Sequence, residues 1–239
     1  MIKAIFFDLD GTLLPMDEKE FTNLYFSLLY KKVSTLGYDS NTLINTIWNG
    51  TKLMYENDGS KTNEKVFWEY FENVNGKEKL KDKITFDDFY RNEFYNTKAV
   101  CKENPLAKDI VNFCKEKVDK VILSTNPIFP KDGTIARMSF IGLKENDFDY
   151  VTVYENSSFC KPNPLYFKDL LNKFNLKPNE VILFGNSIQE DGECASSLGI
   201  KVYMVGNNII PYEEAKNTYI HIKMNDIIPT IEKELLNNQ

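Results

Sequence analysis

The sequence predicts an α/β fold: a doubly wound, mostly parallel sheet with a four-helix domain inserted after the first strand. Three observations predict it. Short, nearly continuous apolar runs recur along the chain, helical periods separate them through the second half, and residues 17–98 break that alternation.

The first run, IKAIFFD (2–8), reads as a buried strand ending at Asp8, because the turn-forming pair Asp10-Gly11 follows. Similar runs occur at 117–125 (KVDKVILST), 149–154 (DYVTVY), 180–185 (EVILFG), 200–205 (IKVYMV) and 218–222 (TYIHI). Most are apolar throughout, as expected of parallel strands covered on both faces. Helical patterns fall near 104–117, 130–142, 164–174, 187–198 and 225–236.

Within the interruption, Phe21, Leu24, Tyr25, Leu28, Leu29, Val33 and Leu36 follow the 3.6-residue period, as do Val66, Phe67, Tyr70, Phe71 and Val74. The expected organisation is an α/β core of residues 1–16 and 99–239 and a helical domain of 17–98. The inserted part holds 16 of the 32 aromatic residues while its 12 basic and 14 acidic residues nearly cancel, so it is expected to own a hydrophobic core. Leu14-Pro15 and the stretch from Thr97 to Pro105 are the two crossings, both expected to act as hinges.

Composition narrows the function classes. At 239 residues the chain buries enough surface to fold without a metal or disulfide staple. With 29 basic against 35 acidic residues and no basic stripe, counterion release on nucleic acid or an anionic membrane has no source. Cys101, Cys114, Cys160 and Cys194 show no C-x-x-C spacing, so neither a zinc site nor a disulfide framework is expected, and a cytoplasmic location fits best. No run approaches a spanning helix, no signal peptide is visible, and a monomer or small homo-oligomer is expected. The single histidine, His221, lies in a strand and excludes a multi-His metal site.

Chemistry concentrates at the first strand end. Asp8 and Asp10 in DLDGT lie at the sheet edge where open α/β folds bind ligands. Two carboxylates so close resist joint ionisation unless a cation sits nearby, and a hard divalent ion such as Mg²⁺ suits oxygen ligands; a plain turn with two solvated acids is the alternative. Later strand ends carry Ser124 after VIL, Lys161 in KPNPLYF, and FGNSIQED from Phe184 to Asp191. They supply a hydroxyl, a cation and an acid.

This order of motifs, with the insertion between the first and second, resembles the haloacid dehalogenase (HAD) superfamily of phosphatases, in which members with a C1-type cap place their helical cap at that point. The resemblance implies a Mg²⁺-dependent hydrolase of small phosphorylated metabolites acting through an aspartyl-phosphate. By similarity Asp8 is the nucleophile and Asp10 the general acid and base, an acid that dehalogenases proper lack. Ser124 would donate its hydroxyl to the phosphoryl group, Thr125 and Asn126 would offer amides, and Lys161 would offset charge. Asp8, Asp10, Asn186 and Asp191 would form the metal site. Asn186 departs from the pattern, which commonly has Asp, so weaker metal binding is expected.

Ser187-x-x-Glu190 reads as a capping box, which frees Asp191 for the site, although the two acids can exchange roles. Trp68 and Tyr95 lie off their helix stripes and either pack or meet substrate. The same motifs admit a phosphomutase that passes the group to a sugar hydroxyl, and a phosphometabolite-binding regulator that has lost efficient metal binding. A phosphonatase is disfavoured by Asp10, and a phosphoacceptor signalling domain by the insertion.

Overall fold

The computed structural model describes residues 1–210 and 218–237. Between the first and second strands lie α1 (Glu18–Val33), α2 (Ser40–Tyr55), α3 (Asn63–Asn75) and α4 (Lys83–Arg91), followed by a 3₁₀ segment, Glu93–Val100. The rest carries α5 (Ala107–Lys117), α6 (Lys131–Phe140), α7 (Leu165–Lys173), α8 (Cys194–Ser196) and α9 (Ile227–Asn237). Asp17, Asp39 and Thr62 start α1, α2 and α3 by accepting backbone N–H groups that a helix terminus leaves unpaired.

Among the described residues six parallel strands, β1 (Ala4–Phe7), β2 (Lys120–Leu123), β3 (Tyr150–Val151), β4 (Val181–Gly185), β5 (Lys201–Val205) and β6 (Ile220–Ile222), stand in the order β3-β2-β1-β4-β5-β6. Every apolar run forms a strand. The third is much shorter than its run because the chain turns away at Thr152, whose hydroxyl donates to the carbonyls of Leu123 and Thr125.

Alternation along the strands divides the core in two. Ile5, Phe7, Val121, Leu123, Ile182 and Phe184 face α5 and α9, whereas Ala4, Phe6, Ile122, Val181 and Leu183 face α7 and α8. Each fully buried Phe or Ile contributes roughly 1.5–3 kcal/mol, so Phe6 and Phe7 hold β1 from opposite faces.

The inserted helices do not own a separate core, contrary to expectation. Phe21, Tyr25, Phe71, Phe86, Phe89 and Phe94 belong to the same buried cluster as one face of the sheet. The link is Phe129, just before α6, whose ring packs edge-on against Phe21 and Tyr25. The two crossings run side by side: Met16 bridges Cys101, and the Lys102 amide donates to the Pro15 carbonyl at 2.8 Å.

Candidate active site

β1 is paired with β2 on one side and β4 on the other, and the chain passes outward through β2 and β3 before returning to β4. That reversal opens a crevice at the carboxyl end of β1. Phe7 stands level with Leu123 and Phe184, so Asp8, Ser124 and Gly185 share the next row. The Asp8 amide donates to the Phe184 carbonyl at 2.9 Å and the Ser124 amide to the Phe7 carbonyl at 2.7 Å.

Asp8 is buried, and both its oxygens are engaged. Oδ1 accepts from Lys161 Nζ at 2.8 Å and Oδ2 from the Thr12 hydroxyl at 3.1 Å. The chain leaves this position through Gly11, which has φ +78°, and a side chain there would collide with the Asn186 amide.

Lys161 is sealed from solvent and bridges two acids, reaching Asp191 Oδ1 at 2.6 Å as well as Asp8. Burial works against its charge, but the carboxylates of Asp191 and Asp8 outweigh it and raise the ammonium well above its ordinary pKa. Asp191 Oδ2 accepts from the amides of Asn186 and Ser187, both at 3.1 Å. Gly185 leaves the room this carboxylate occupies.

The expected capping box forms only in half. Ser187 Oγ accepts from the Glu190 amide at 3.1 Å, but the Ser187 amide goes to Asp191 rather than to Glu190. The segment Ile188–Glu193 is π-helical instead of α-helical, and this wider turn aims Asp191 inward. Glu190 accepts from the Tyr55 hydroxyl at 3.3 Å, and burial pushes its carboxyl up to about 7.

Asp10 holds a partner that the sequence reading missed. The Arg137 guanidinium, fully buried on α6, donates to Asp10 Oδ2, while Asp10 Oδ1 is buried with no partner among the described residues. Burial drives the Asp10 carboxyl up to about 6, against the pull of Arg137 and with the help of the Asp8 charge. A usable signal was present: Arg137 is one of two arginines among 29 basic residues and stands between Ala136 and Met138 in a helical stretch.

Ser124 does not reach the crevice. Its hydroxyl, fully buried, donates back to the Phe7 carbonyl at 3.2 Å, away from the position the sequence reading gave it. The next residue, Thr125, lines the crevice instead. Thr152 and Tyr166 hydroxyls fix the Thr125 carbonyl at 2.7 and 2.9 Å. Asn126 also lines the crevice, and its side chain clasps the Lys161 backbone, donating to the carbonyl at 3.1 Å and accepting from the amide at 3.2 Å.

Asn186 Oδ1 accepts from the same Thr12 hydroxyl that Asp8 Oδ2 does, at 3.2 Å, so the two oxygens converge. Among the described residues no three acidic, histidine or cysteine side chains are grouped to hold a metal. The donors present are nonetheless all oxygens, which fits a hard divalent cation bound with one carboxylate fewer.

The crevice opens into a cavity of about 370 Å³ between the sheet edge and the inserted helices. Trp68 lines it, with its indole N–H donating to Tyr154 Oη at 3.2 Å. Tyr95 does not; it is 41% exposed and packs against Phe140. Trp48 and Tyr55, which the helix period did not single out, also line the wall.

Acids and a buried lysine gathered at the switch point of a parallel sheet define an α/β enzyme of the type that binds its ligand at strand ends. The family model of haloacid dehalogenase-like hydrolases matches residues 2–199, and the chain belongs to that family. A phosphorylated carbohydrates phosphatase of Thermotoga maritima is 28% identical over 137 residues, 55% of this chain and 62% of that protein. A glyceraldehyde 3-phosphate phosphatase of Pyrococcus furiosus is 31% identical over 111 residues, 45% of this chain and 44% of that one. The matched part thus spans less than two thirds of either relative. A 2-haloacid dehalogenase of Pseudomonas syringae shares the fold across the full length of both chains, with a TM-score of 0.64 at 16% identity. Among the described residues no helix is long and apolar enough to cross a membrane.

Proposed function

We propose that this protein hydrolyses phosphate monoesters of small metabolites through an aspartyl-phosphate on Asp8. The observation that carries the reading is the pairing at the end of β1: Lys161 holds Asp8 Oδ1 while Asp10, two residues on, keeps one oxygen without a partner among the described residues. The two relatives that are phosphatases by name support the reaction class.

In the first step an Asp8 oxygen attacks phosphorus, the bond from phosphorus to the alcohol oxygen breaks, and Asp10 Oδ1 delivers a proton to that oxygen. In the second, water attacks the phosphoryl group, Asp10 Oδ1 takes its proton, and phosphate leaves as the Asp8 carboxylate is restored. Arg137 is a positioning residue: it occupies Oδ2 and so leaves Oδ1 to carry the proton. The Thr125 hydroxyl and the amides of Thr125 and Asn126 cradle the phosphoryl oxygens, a role that passes to them from Ser124. Asp191 holds Lys161 charged and in place.

Asp8, the backbone carbonyl of Asp10 and Asn186 would hold Mg²⁺, with Asp191 behind them, tied to Lys161 and to the amides of Asn186 and Ser187. When bound, the ion supplies positive charge that offsets the transferring group. Residues 17–98 act as a C1-type cap over residues 1–16 and 99–239. The four free thiols suit a cytoplasmic setting.

The test is phosphate release from p-nitrophenyl phosphate with Mg²⁺ titrated and then chelated, for wild type and Asp8→Asn. Release that needs the metal and disappears in Asp8→Asn is expected; an active Asp8→Asn protein overturns the nucleophile.

A further inference from the structure

Phosphate chemistry occupies one end of the cavity, and the other end carries a different composition. Its walls are aromatic: Phe26, Trp48, Phe67, Trp68, Tyr90 and Phe129 all face it. Phe26 and Trp48 stack obliquely with ring centroids 5.4 Å apart, and Trp48 is left 51% exposed beside the opening although it is among the largest apolar side chains in the protein. A ring so placed stabilises little by its own burial and is available to a ligand.

Charge on the same walls is one-sided. Besides Asp8, Asp10 and Asp191, the acids Glu18 and Glu190 close to them and Asp87 on α4 line the cavity, and among the described residues the one cationic side chain in the wall is Arg137, already engaged by Asp10. Asp87 is paired with Lys83 at 3.1 Å, whereas Glu18 and Glu190 have no salt-bridge partner among the described residues. A second anionic group on a substrate would find no free cation in this wall among the described residues.

We infer that the alcohol half of the ester this site takes is a ring-shaped, largely apolar body that carries no negative charge. The inference rests on the phosphomonoesterase reading above and names its substrate class. It sets phosphorylated ring alcohols, neutral or cationic, against small esters bearing a carboxylate or a second phosphate.

Three probes of similar leaving-group chemistry test it: benzyl phosphate, 4-carboxybenzyl phosphate and ethyl phosphate. In wild type, kcat/KM for benzyl phosphate is expected to exceed each of the others about tenfold. The same esters are then titrated into Asp8→Asn protein, following quenching of Trp48 and Trp68 fluorescence, and the same ranking in Kd is expected. Hydrolysis of all three at equal rates, or a preference for the carboxylate, overturns the inference and leaves the hydrolase reading standing. No hydrolysis but tighter binding of benzyl phosphate overturns the hydrolase reading and keeps the inference. No hydrolysis with equal or absent binding overturns both. Trp48→Ala is expected to narrow the benzyl-to-ethyl ratio, and an unchanged ratio removes Trp48 from the ring site.

Discussion

The two ends of the cavity are built on different physics. At the sheet edge, buried ions and hydroxyls hold one another in fixed geometry: Lys161 spans Asp8 and Asp191, Thr12 spans Asp8 and Asn186, and Arg137 clamps Asp10. On the helical side, rings pack by shape, with few polar ties beyond Trp68 to Tyr154 and Tyr25 to Tyr90. A buried charge tolerates no loss of its partner, whereas a ring in a loose aromatic wall can be replaced by another. The first end should therefore govern kcat, with stability tied to the buried Lys161, and the second should govern KM.

The strongest test of that contrast is Asp8→Asn, expected to remove turnover while the far-ultraviolet spectrum stays native. Lys161→Met should do more than stop turnover. It leaves Asp8 and Asp191 buried and unpaired, and chemical denaturation should show a loss of about 3–5 kcal/mol. If Lys161→Met is as stable as wild type, the acids are not held as described.

Arg137→Met tests positioning. With Asp10 no longer clamped, kcat should fall about 10²-fold with KM little changed, and Arg137→Lys should recover part of the loss. Thr125→Ala and Ser124→Ala form a matched pair: the first should lower kcat about 10²-fold, while the second should keep wild-type turnover and cost about 1 kcal/mol of stability. The reverse result would return the phosphoryl contact to Ser124.

The smallest effect lies outside both ends. Asp147 takes a proton less readily than usual: its partial burial favours the neutral form, but the Lys108 ammonium outweighs this and lowers its pKa. A carboxylate lowered in the folded state adds stability above its unfolded pKa. Asp147→Asn should therefore lose about 0.5 kcal/mol at neutral pH, a difference that disappears as pH falls through the folded pKa. Thermal unfolding at neutral and acid pH checks it.

Much of the sheet edge was legible because short-range chemistry dictates it. Asp8 ends a fully apolar strand, Gly11 takes a left-handed turn, and Lys161 sits before a proline-marked helix start. Which of the Ser124 and Thr125 hydroxyls lines the crevice was not legible, because the two are adjacent just past β2 and only their long-range partners separate them. Glu190 and Asp191 differ likewise by a single helical position, and the π-helical turn settled which one points to Lys161. The aromatic wall was less visible: a helix period separates buried rings from exposed ones, but it cannot say which of them face a cavity.

Hydrophobic period, turn chemistry and spacing within a few residues were enough for the α/β class, six strand positions, the inserted helices and most of the acids gathered at the sheet edge. Three features came from packing alone: Arg137 meets Asp10 across 127 positions, Thr125 rather than Ser124 lines the crevice, and the inserted helices share their core with the sheet. Those outcomes depend on how separate elements pack against one another, and packing joins residues that no local pattern connects.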